Sequence, residues 1–343
     1  MNNNSIIEKW EMLEKYISNS SQILLGTHIN PDGDGLGACL GMYYYLKSIN
    51  KNCKIINETG RPEKLSMLGS KSEIEKYQGS HDKWLDSVDL VILFDIGDYL
   101  RLGRFGQDTI KRVKTVSIDH HPMRDQGPID LPVIDTSSPA AGYMVWKFFE
   151  HLDLNSKPLP LNISKALYIS LVSDTGRFKY QSTNSETHKM ASHLLESNFN
   201  VYEIHRPLYE EQDFIYLKLL SKVIDSLYIS NNFKVVYTII TPSILNDVGA
   251  DSTHVDGITE YIRNIKNVEI SFMIYQKDSS TIRINFRSSG IYTVDDIASS
   301  FGGGGHKFAS GATLEESSVK SIKASIIDQI NKKIPGEINV DKE

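Results

Sequence analysis

The chain has 343 residues, too many for one typical hydrophobic core, so two domains are expected. Its 40% apolar and 23% charged residues are ordinary for a soluble globular protein, and a net charge of -6 argues against a broad basic face that coats long nucleic acid. No signal peptide or membrane-length apolar run is evident, and two cysteines, Cys39 and Cys53, exclude a disulfide framework, so we expect a cytoplasmic protein.

Residues 1–200 alternate predicted helices with short apolar strands. The helices are predicted at residues 5–18, 36–46, 143–151 and 185–196, and the strands at residues 22–27, 54–56, 90–94 and 115–118. This alternation predicts a doubly wound α/β domain with a mainly parallel sheet. Residues 164–172 have the length of either a buried helix or a buried strand, and their periodicity does not decide between the two.

The second half of the chain has a different pattern. Residues 201–227 are charged and helical, with a break at residues 206–207, and we interpret them as a linker. Hairpin-like strands follow at residues 233–241, 268–276 and 281–287, with helices near residues 255–266 and 319–332. These elements predict a smaller α+β domain over residues 228–337, which would face the domain of residues 1–200 across a cleft.

Acidic and histidine side chains directly follow four apolar segments of the first domain. They are His28, Asp32 and Asp34, then Asp95, then Asp119, His120 and His121, and finally Asp174. We interpret each segment as a buried strand, because the carboxyl ends of parallel strands line one crevice. Carboxylates gathered there would repel one another unless divalent cations neutralised them. Ligands of this kind without thiolate suit manganese better than calcium or structural zinc, so the cluster predicts a dinuclear metal hydrolase.

These residues also have ordinary structural explanations. The acids could form tight turns or cap helices, as Asp174 could cap the turn that follows it, and the paired histidines could be buried and hydrogen-bonded. The combination favours metal ligation, and the central position of Asp95 makes it the candidate bridge between two ions. His121 is then a candidate proton donor or phosphate contact, and Asp119 a partner that orients a histidine.

Two features of the second domain favour an anionic ligand. Residues 302–305 are four consecutive glycines before His306, and ordering them costs backbone entropy, which favours a site where the backbone approaches a ligand. Their N–H groups can form an anion-binding nest, with a flexible hinge as the alternative. Arg283 and Arg287 share one face of a predicted strand, where they can bind phosphate or face solvent.

Several motifs occur in a fixed order along the chain. They are His28-x-x-Pro31-Asp32-Gly33-Asp34, Asp95, Asp119-His120-His121, Asp174, Arg287-Ser288 and residues 301–306. Together they resemble the DHH phosphoesterase superfamily with its DHHA1 domain, over residues 22–311. Gly35, Ala38 and Asn285 depart from the family pattern without removing a ligand, although Asn285 leaves the substrate preference open.

The resemblance implies roles for individual residues. One ion would bind to His28, Asp32 and Asp95, and a second to Asp34, Asp95, His120 and Asp174. Substrate contacts would come from His121, Arg101, Arg287, Ser288, Gly303, Gly304, Gly305 and His306. Manganese is the expected ion, with magnesium or cobalt as alternatives.

The motifs most resemble the oligoribonuclease and pAp phosphatase branch of the superfamily. This branch implies metal-dependent hydrolysis of short oligoribonucleotides to mononucleotides, of 3′-phosphoadenosine 5′-phosphate (pAp) to AMP, or of both. The partner would be a short RNA or a nucleotide, without a long nucleic-acid track or a membrane.

Other activities stay open on the sequence alone. The same motifs occur in phosphodiesterases for pApA or cyclic di-AMP. The glycine loop argues against an inorganic pyrophosphatase, and the complete ligand set argues against a non-catalytic nucleotide sensor. The preferred substrate, the cleavage polarity, the resident metal and the choice between monomer and homodimer are not decided by the sequence.

Overall fold

The chain forms two compact units. The computed structural model describes residues 3–122, 125, 127–230, 233–315 and 318–334, without the side chains of Asn3, Asn4 and His306. The units are Met1–Glu211 and Gln212–Glu343, and each of the four clusters of buried apolar side chains lies within one unit. Within the described residues, no helix is long and apolar enough to cross a membrane.

A six-stranded sheet, parallel at every pairing, forms the centre of the first unit. The strands are β1 (Gln22–Gly26), β2 (Asn52–Asn57), β3 (Ile74–Lys76), β4 (Leu90–Phe94), β5 (Thr115–Asp119) and β6 (Leu131–Ile134). Their order is β3-β2-β1-β4-β5-β6, which confirms the predicted doubly wound sheet. Strands β2 and β3 extend the sheet to one side of β1, and β4, β5 and β6 extend it to the other, so the strand order reverses between β1 and β4. The carboxyl ends of strands at such a switch point leave a crevice. The sequence pattern misses only the edge strands β3 and β6, which have three and four residues.

Helices cover both faces of this sheet. They are α1 (Asn3–Asn19), α2 (Gly33–Ser48), α3 (Asp82–Leu85), α4 (Gly103–Ile110), α5 (Ala141–His151), α6 (Leu161–Asp174), α7 (Ser185–Leu195) and α8 (Val201–His205), with a π-helix at Arg206–Glu210. Short 3-10 helices lie at Glu63–Leu65, Gly79–His81, Tyr99–Leu102 and Leu154–Ser156. The expected strand before Asp174 is wrong, because this segment is the end of α6. Residues 166–172 are all buried, so no amphipathic stripe marks the helix in the sequence.

Glycines on α2 allow this helix to contact α6 closely. A Cβ atom at Gly37 would lie 2.5 Å from the carbonyl oxygen of Ala166, and one at Gly33 would lie 2.0 Å from the Oγ of Ser173. Gly33 and Gly37 are four residues apart and therefore share one face of the helix. The contact brings the first turn of α2 beside the last turn of α6.

A mixed six-stranded sheet forms the centre of the second unit, in the order β11-β12-β10-β9-β8-β7. The strands are β7 (Tyr228–Ile229), β8 (Val235–Ile240), β9 (Ile270–Gln276), β10 (Thr281–Ser288), β11 (Gly304–His306) and β12 (Ala309–Glu315). The helices are α9 (Phe214–Asp225), α10 (Pro242–Val248), α11 (Ile258–Arg263), α12 (Asp295–Ser300) and α13 (Val319–Lys333), with a 3-10 helix at Ser252–His254. The predicted α+β character is confirmed.

The expected hairpin pairing is right for β9 and β10, which are antiparallel, and wrong for β8 and β9, which are parallel. Parallel neighbours need a crossover connection, and α10 and α11 provide it. The segment predicted as a linker, residues 201–227, contains α8, the π-helix and α9. The predicted domain limits at residues 200, 227 and 337 stay predictions, and residues 335–337 lie outside the described part of the chain.

We expect Gly37→Ala to lower the free energy of unfolding by about 1–3 kcal/mol, because the added methyl group overlaps Ala166 on α6. Urea unfolding followed by tryptophan fluorescence measures this change in the first unit, which contains all three tryptophans. Gly79→Ala is the matched control, because the nearest atom to its new Cβ would be Asp82 Oδ2 at 4.0 Å. Equal stability of the two variants would contradict the close packing of α2 on α6.

Candidate metal centre

Side chains that follow β1, β4 and β5 gather at one edge of the parallel sheet. Asp95 directly follows β4, and Asp119 is the last residue of β5. The chain after β1 passes His28 and enters α2, while Asp174 arrives from the end of α6. All six predicted metal ligands lie in two separate groups of potential donor atoms, which are His28, Asp32 and Asp95, and Asp34, His120 and Asp174. A third group, Asp95, His120 and His121, shares one residue with each of them.

The first group is organised by His28. Its Nδ1 lies 2.7 Å from the carbonyl oxygen of Ile29, so Nδ1 carries a hydrogen, and Nε2 is the ring atom that faces the cluster. Loss of the proton on Nε2 would free its lone pair for a cation. Among the described residues Nε2 has no hydrogen-bond partner, and it lies 3.8 Å from Asp32 Oδ2 and 3.6 Å from Asp95 Oδ2. Donor atoms that each bind one ion at about 2.1 Å lie roughly 3–3.5 Å apart, so these separations exceed those around a shared cation by only a few tenths of an ångström.

Asp32 has two roles in this group. Its Oδ1 accepts hydrogen bonds of 3.0 and 3.1 Å from backbone N–H groups in the first turn of α2, and its Oδ2 faces His28. The helix-cap explanation and the ligand explanation of Asp32 are therefore compatible, because each uses a different oxygen.

The second group is organised by His120. Its Nδ1 lies 3.2 Å from the carbonyl oxygen of Ser138, and its Nε2 faces three carboxylates. Nε2 is 3.5 Å from Asp34 Oδ2, 3.6 Å from Asp95 Oδ1 and 3.4 Å from Asp174 Oδ2. Asp95 thus directs Oδ2 to the first group and Oδ1 to the second. This is the geometry of a carboxylate that can bridge two cations.

Asp34 is held by partners that the sequence does not reveal. Its Oδ2 accepts the N–H of Ala141 at 2.7 Å, and its Oδ1 accepts the N–H of Gly142 at 3.0 Å and the hydroxyl of Ser170. These N–H groups belong to the first turn of α5, where Ala140 offers no side-chain cap. A helix start without a capping side chain needs another acceptor for its first N–H groups. Alanine at this position was therefore the signal in the sequence that could have indicated the contact.

Asp119 positions neighbouring groups. It is fully buried, and its Oδ1 accepts the backbone N–H of His121 at 2.8 Å and lies 2.9 Å from His121 Nδ1. Its Oδ2 accepts the N–H of Gly97 at 2.6 Å, which fixes the loop after Asp95. Asp95 itself has a φ of 57°, a left-handed conformation that is uncommon outside glycine. The structure therefore places Asp119 where it orients both His121 and the backbone of the candidate bridging ligand.

The pKa values of the cluster indicate a strongly negative local field. Burial lowers the pKa of His28, but the carboxylates of Asp32 and Asp95 outweigh it and raise this pKa to about 10. Burial likewise opposes the charged form of His121, yet Asp119 and Asp95 raise its pKa to about 9. Burial opposes ionisation of Asp95, but the surrounding histidines hold its pKa well below the usual range. A divalent cation fits this set of residues, because it would offset the same negative charge.

Arg101 lies at the edge of this cluster. Its carbonyl oxygen accepts the N–H of Ile29 at 2.7 Å, and its Nη1 donates to the carbonyl oxygen of Ile96 at 3.1 Å. A Cβ built on Gly97 would lie 3.5 Å from the same Nη1. Arg101 therefore connects the loops that carry His28 and Asp95.

In the second unit, β10 carries Arg287 and Ser288, two of the predicted substrate contacts, on opposite faces. Buried and more exposed residues alternate along the strand, so Arg283 and Arg287 share one face, as predicted. Ser288 lies on the other face and is 2% exposed, and its Oγ accepts the N–H of Gly290 at 3.1 Å. Ser288 and Arg287 therefore do not point to the same side of the sheet.

The glycine loop has a role in backbone packing. The N–H groups of Gly302 and Gly303 donate to carbonyl oxygens at the end of α12 at 3.0 and 2.9 Å, and are not available for the predicted anion nest. A Cβ at Gly303 would lie 2.1 Å from the carbonyl oxygen of Gly311. The next residues form β11, which pairs with β12 and includes the backbone of His306, whose side chain lies outside the description.

Comparison with known proteins connects this site to a family. The family model "DHH family, N-terminal domain" matches residues 22–171, and the model "DHHA1 domain" matches residues 232–332. The chain is 28% identical over 305 residues to "Bifunctional oligoribonuclease and PAP phosphatase NrnA" of Bacillus subtilis, which covers 88% of this chain and 92% of that protein. It is 25% identical to "Cyclic-di-AMP phosphodiesterase GdpP" of the same organism, over 86% of this chain and 45% of that protein.

A solved structure supports the same fold. An exopolyphosphatase-related protein from Bacteroides fragilis superposes with a TM-score of 0.87, covers 95% of this chain and 96% of its own, and is 22% identical. The two family models match the chain in the order that the motifs predict. The chain therefore belongs to the DHH/DHHA1 phosphoesterase superfamily.

Proposed function

We propose that the protein is a dinuclear metal-dependent phosphoesterase that hydrolyses short oligoribonucleotides to mononucleotides, pAp to AMP, or both. The observation that carries this proposal is the carboxylate of Asp95, whose two oxygens face two separate groups of histidine and aspartate. The similarity to an oligoribonuclease and PAP phosphatase extends over 88% of this chain and supports the substrate class. Because such substrates arise from RNA turnover and nucleotide metabolism, we also propose a cytoplasmic location.

Two divalent cations fit the ligand set. We assign one to His28, Asp32 and Asp95, and the other to Asp34, Asp95, His120 and Asp174. Nitrogen and oxygen donors without thiolate favour manganese, with magnesium and cobalt as alternatives. When bound, such ions activate water for attack and stabilise negative charge on the phosphate oxygens.

The histidine beside the ligands has a separate task. Asp119 fixes the ring of His121 through Nδ1, which leaves Nε2 as the atom that can contact a phosphate oxygen or protonate the leaving oxygen. Asp119 acts through His121 and through the loop after Asp95, so we assign it a positioning role.

Substrate binding would use further cationic and backbone groups. We assign contacts with substrate phosphate to Arg101 beside the metal ligands and to Arg287 on β10 of the DHHA1 domain. In the glycine loop, Gly304, Gly305 and His306 remain candidates, while Gly303 and Ser288 would support the backbone.

A phosphodiesterase for pApA or cyclic di-AMP is the second candidate. It is favoured by the similarity to a cyclic di-AMP phosphodiesterase. This similarity has an identity of 25%, against 28% for the oligoribonuclease and PAP phosphatase, and it covers 45% of the phosphodiesterase. Side-by-side assays of pAp, pApA, cyclic di-AMP, pyrophosphate and a short RNA with manganese separate the two candidates.

We predict that Asp95→Ala lowers the bound manganese from about two ions per chain to about one or none and abolishes turnover, because both ions lose a ligand. Metal analysis of the purified protein after manganese loading measures the loss, and circular dichroism checks the fold. Asp108→Ala is the control, because this exposed carboxylate pairs with Lys111 and Arg104 on the protein surface. Retention of two ions and normal activity by Asp95→Ala would refute the bridging assignment.

We predict that cleavage is fastest for RNAs of about 2 to 5 nucleotides, because recognition at one end saturates once a few contacts are filled. The net charge of -6 offers no long basic track for additional nucleotides. Single-turnover rates for RNAs from about 2 to about 24 nucleotides at fixed salt measure the length dependence. Equal or rising rates on the longest RNA would favour a processive nuclease.

We predict that Arg287→Ala raises KM about 10-fold, or ~1.4 kcal/mol, with a smaller effect on kcat, because it removes a contact present before and during the reaction. Arg283→Ala is the matched control on the same strand face, since Arg283 already pairs with Asp256 at 3.2 Å. Steady-state kinetics with pAp and a short RNA measure both variants. An unchanged KM in Arg287→Ala, or equal effects of the two variants, would contradict a specific phosphate contact at Arg287.

A further inference from the structure

The backbone just beyond Asp174 forms an unusual turn. Gly176, Arg177 and Phe178 have φ values of 55°, 63° and 62°, so three consecutive residues are left-handed. Arginine and phenylalanine rarely adopt this conformation, and it persists only where surrounding contacts enforce it. The contacts that enforce it therefore determine where the chain places Asp174.

Part of the support is local. Thr175 Oγ1 donates to the carbonyl oxygen of Leu171 at 2.7 Å and accepts the N–H of Phe178 at 3.1 Å. The carbonyl oxygen of Thr175 accepts two further N–H groups, from Lys179 and Tyr180, at 2.9 and 3.0 Å. These bonds close the turn but do not connect it to another part of the fold.

Other parts of the fold also support the turn. The ring of Phe178 lies 5.0 Å from that of His188, and Tyr209, in the π-helix Arg206–Glu210, contacts both sides of Asp174. The guanidinium of Arg177 lies 4.6 Å from the centre of the Tyr209 ring, within the range of a cation–π contact. The hydroxyl of Tyr209 donates to the carbonyl oxygen of Val172 at 3.3 Å. One side chain thus contacts the backbone two residues before Asp174 and the side chain three residues after it.

The π-helix is itself attached to α6. The ring of His205, the residue before the π-helix, lies 6.0 Å from the ring of Tyr168, and its Nε2 is 3.4 Å from the Tyr168 hydroxyl. The wider turn of a π-helix is rare, and such turns are often found at functional sites. The turn holds Tyr209 against the end of α6 in the same unit that contains the metal ligands.

Asp174 depends on such support more than its neighbours do. Asp34 accepts three hydrogen bonds and is fully buried. In the described residues, by contrast, no hydrogen bond fixes the carboxylate of Asp174, and its side chain is 27% exposed. Apart from His120 Nε2, which lies 3.4 Å from Oδ2, the backbone that carries Asp174 therefore sets the position of its carboxylate.

We propose that Tyr209 and Arg177 are positioning residues for Asp174, which hold its carboxylate at the second ion. This inference rests on the proposed function, because it assumes that Asp174 is a ligand. Tyr209 would act without touching the ion or the substrate. Partners that orient metal ligands typically change metal affinity about 10- to 100-fold when they are removed, and we expect Tyr209 to have an effect of this size.

The test measures manganese binding to the full-length chain by calorimetry and electron paramagnetic resonance. Tyr209→Ala should weaken the binding of the second ion about 10- to 100-fold and leave the affinity for the first ion unchanged. Tyr209→Phe removes only the hydroxyl and should weaken the second ion by less, and Arg177→Met should resemble it. Excess manganese should restore kcat in these variants, which a general loss of folding would not allow.

Two reference variants make the outcome decisive. Tyr202→Ala is the control, because Tyr202 lies on the neighbouring helix α8 and is 56% exposed. Asp174→Asn shows whether binding of the second ion needs the carboxylate of Asp174. If this variant binds the second ion with unchanged affinity, the ligand assignment is overturned. If Asp174→Asn loses the ion while both Tyr209 variants bind two ions with normal affinity, the positioning role is overturned and the proposed function stands. Equal weakening of both ions in the Tyr209 variants would also overturn it.

Discussion

Repulsion among the carboxylates of Asp32, Asp34, Asp95 and Asp174 is the constraint on which the rest of the site depends. Two histidine nitrogens face these four groups at 3.4–3.8 Å, with their other ring nitrogens directed to backbone carbonyl oxygens. The raised pKa values of the histidines express the same negative field. Such an arrangement needs compensating positive charge, which makes it a candidate cation site.

The fold meets this constraint by bringing the candidate ligands together from the β1–α2 connection, the ends of β4 and β5, and the end of α6. The switch point between β1 and β4 brings two loops together without a strand between them. The first turn of α5 stabilises Asp34 through backbone N–H groups, and Asp119 fixes the loop after Asp95. Glycines such as Gly37 then let α2 and α6 approach, so that Asp34 and Asp174 reach the same histidine.

The sequence was sufficient to predict the fold and the candidate site where the signal is local. An apolar strand followed by Asp95, or by Asp119 and His120, marks the edge of a parallel sheet, and the structure places these side chains there. It was insufficient where packing decides, because α6 is buried along most of its length and shows no periodicity. The contact of Asp34 with Ala141 joins residues 107 positions apart, which no local pattern encodes. Likewise, no local pattern shows that position 303 needs glycine because a Cβ atom there would lie 2.1 Å from the carbonyl oxygen of Gly311.

The proposed function depends on the carboxylate of Asp95 bridging two cation sites. Diffraction from manganese-loaded crystals, collected at the manganese absorption edge, tests it most directly. The account predicts two anomalous peaks, one between Asp95 and His28 and the other between Asp95 and His120. A single peak, or two peaks that do not share Asp95, would contradict the account.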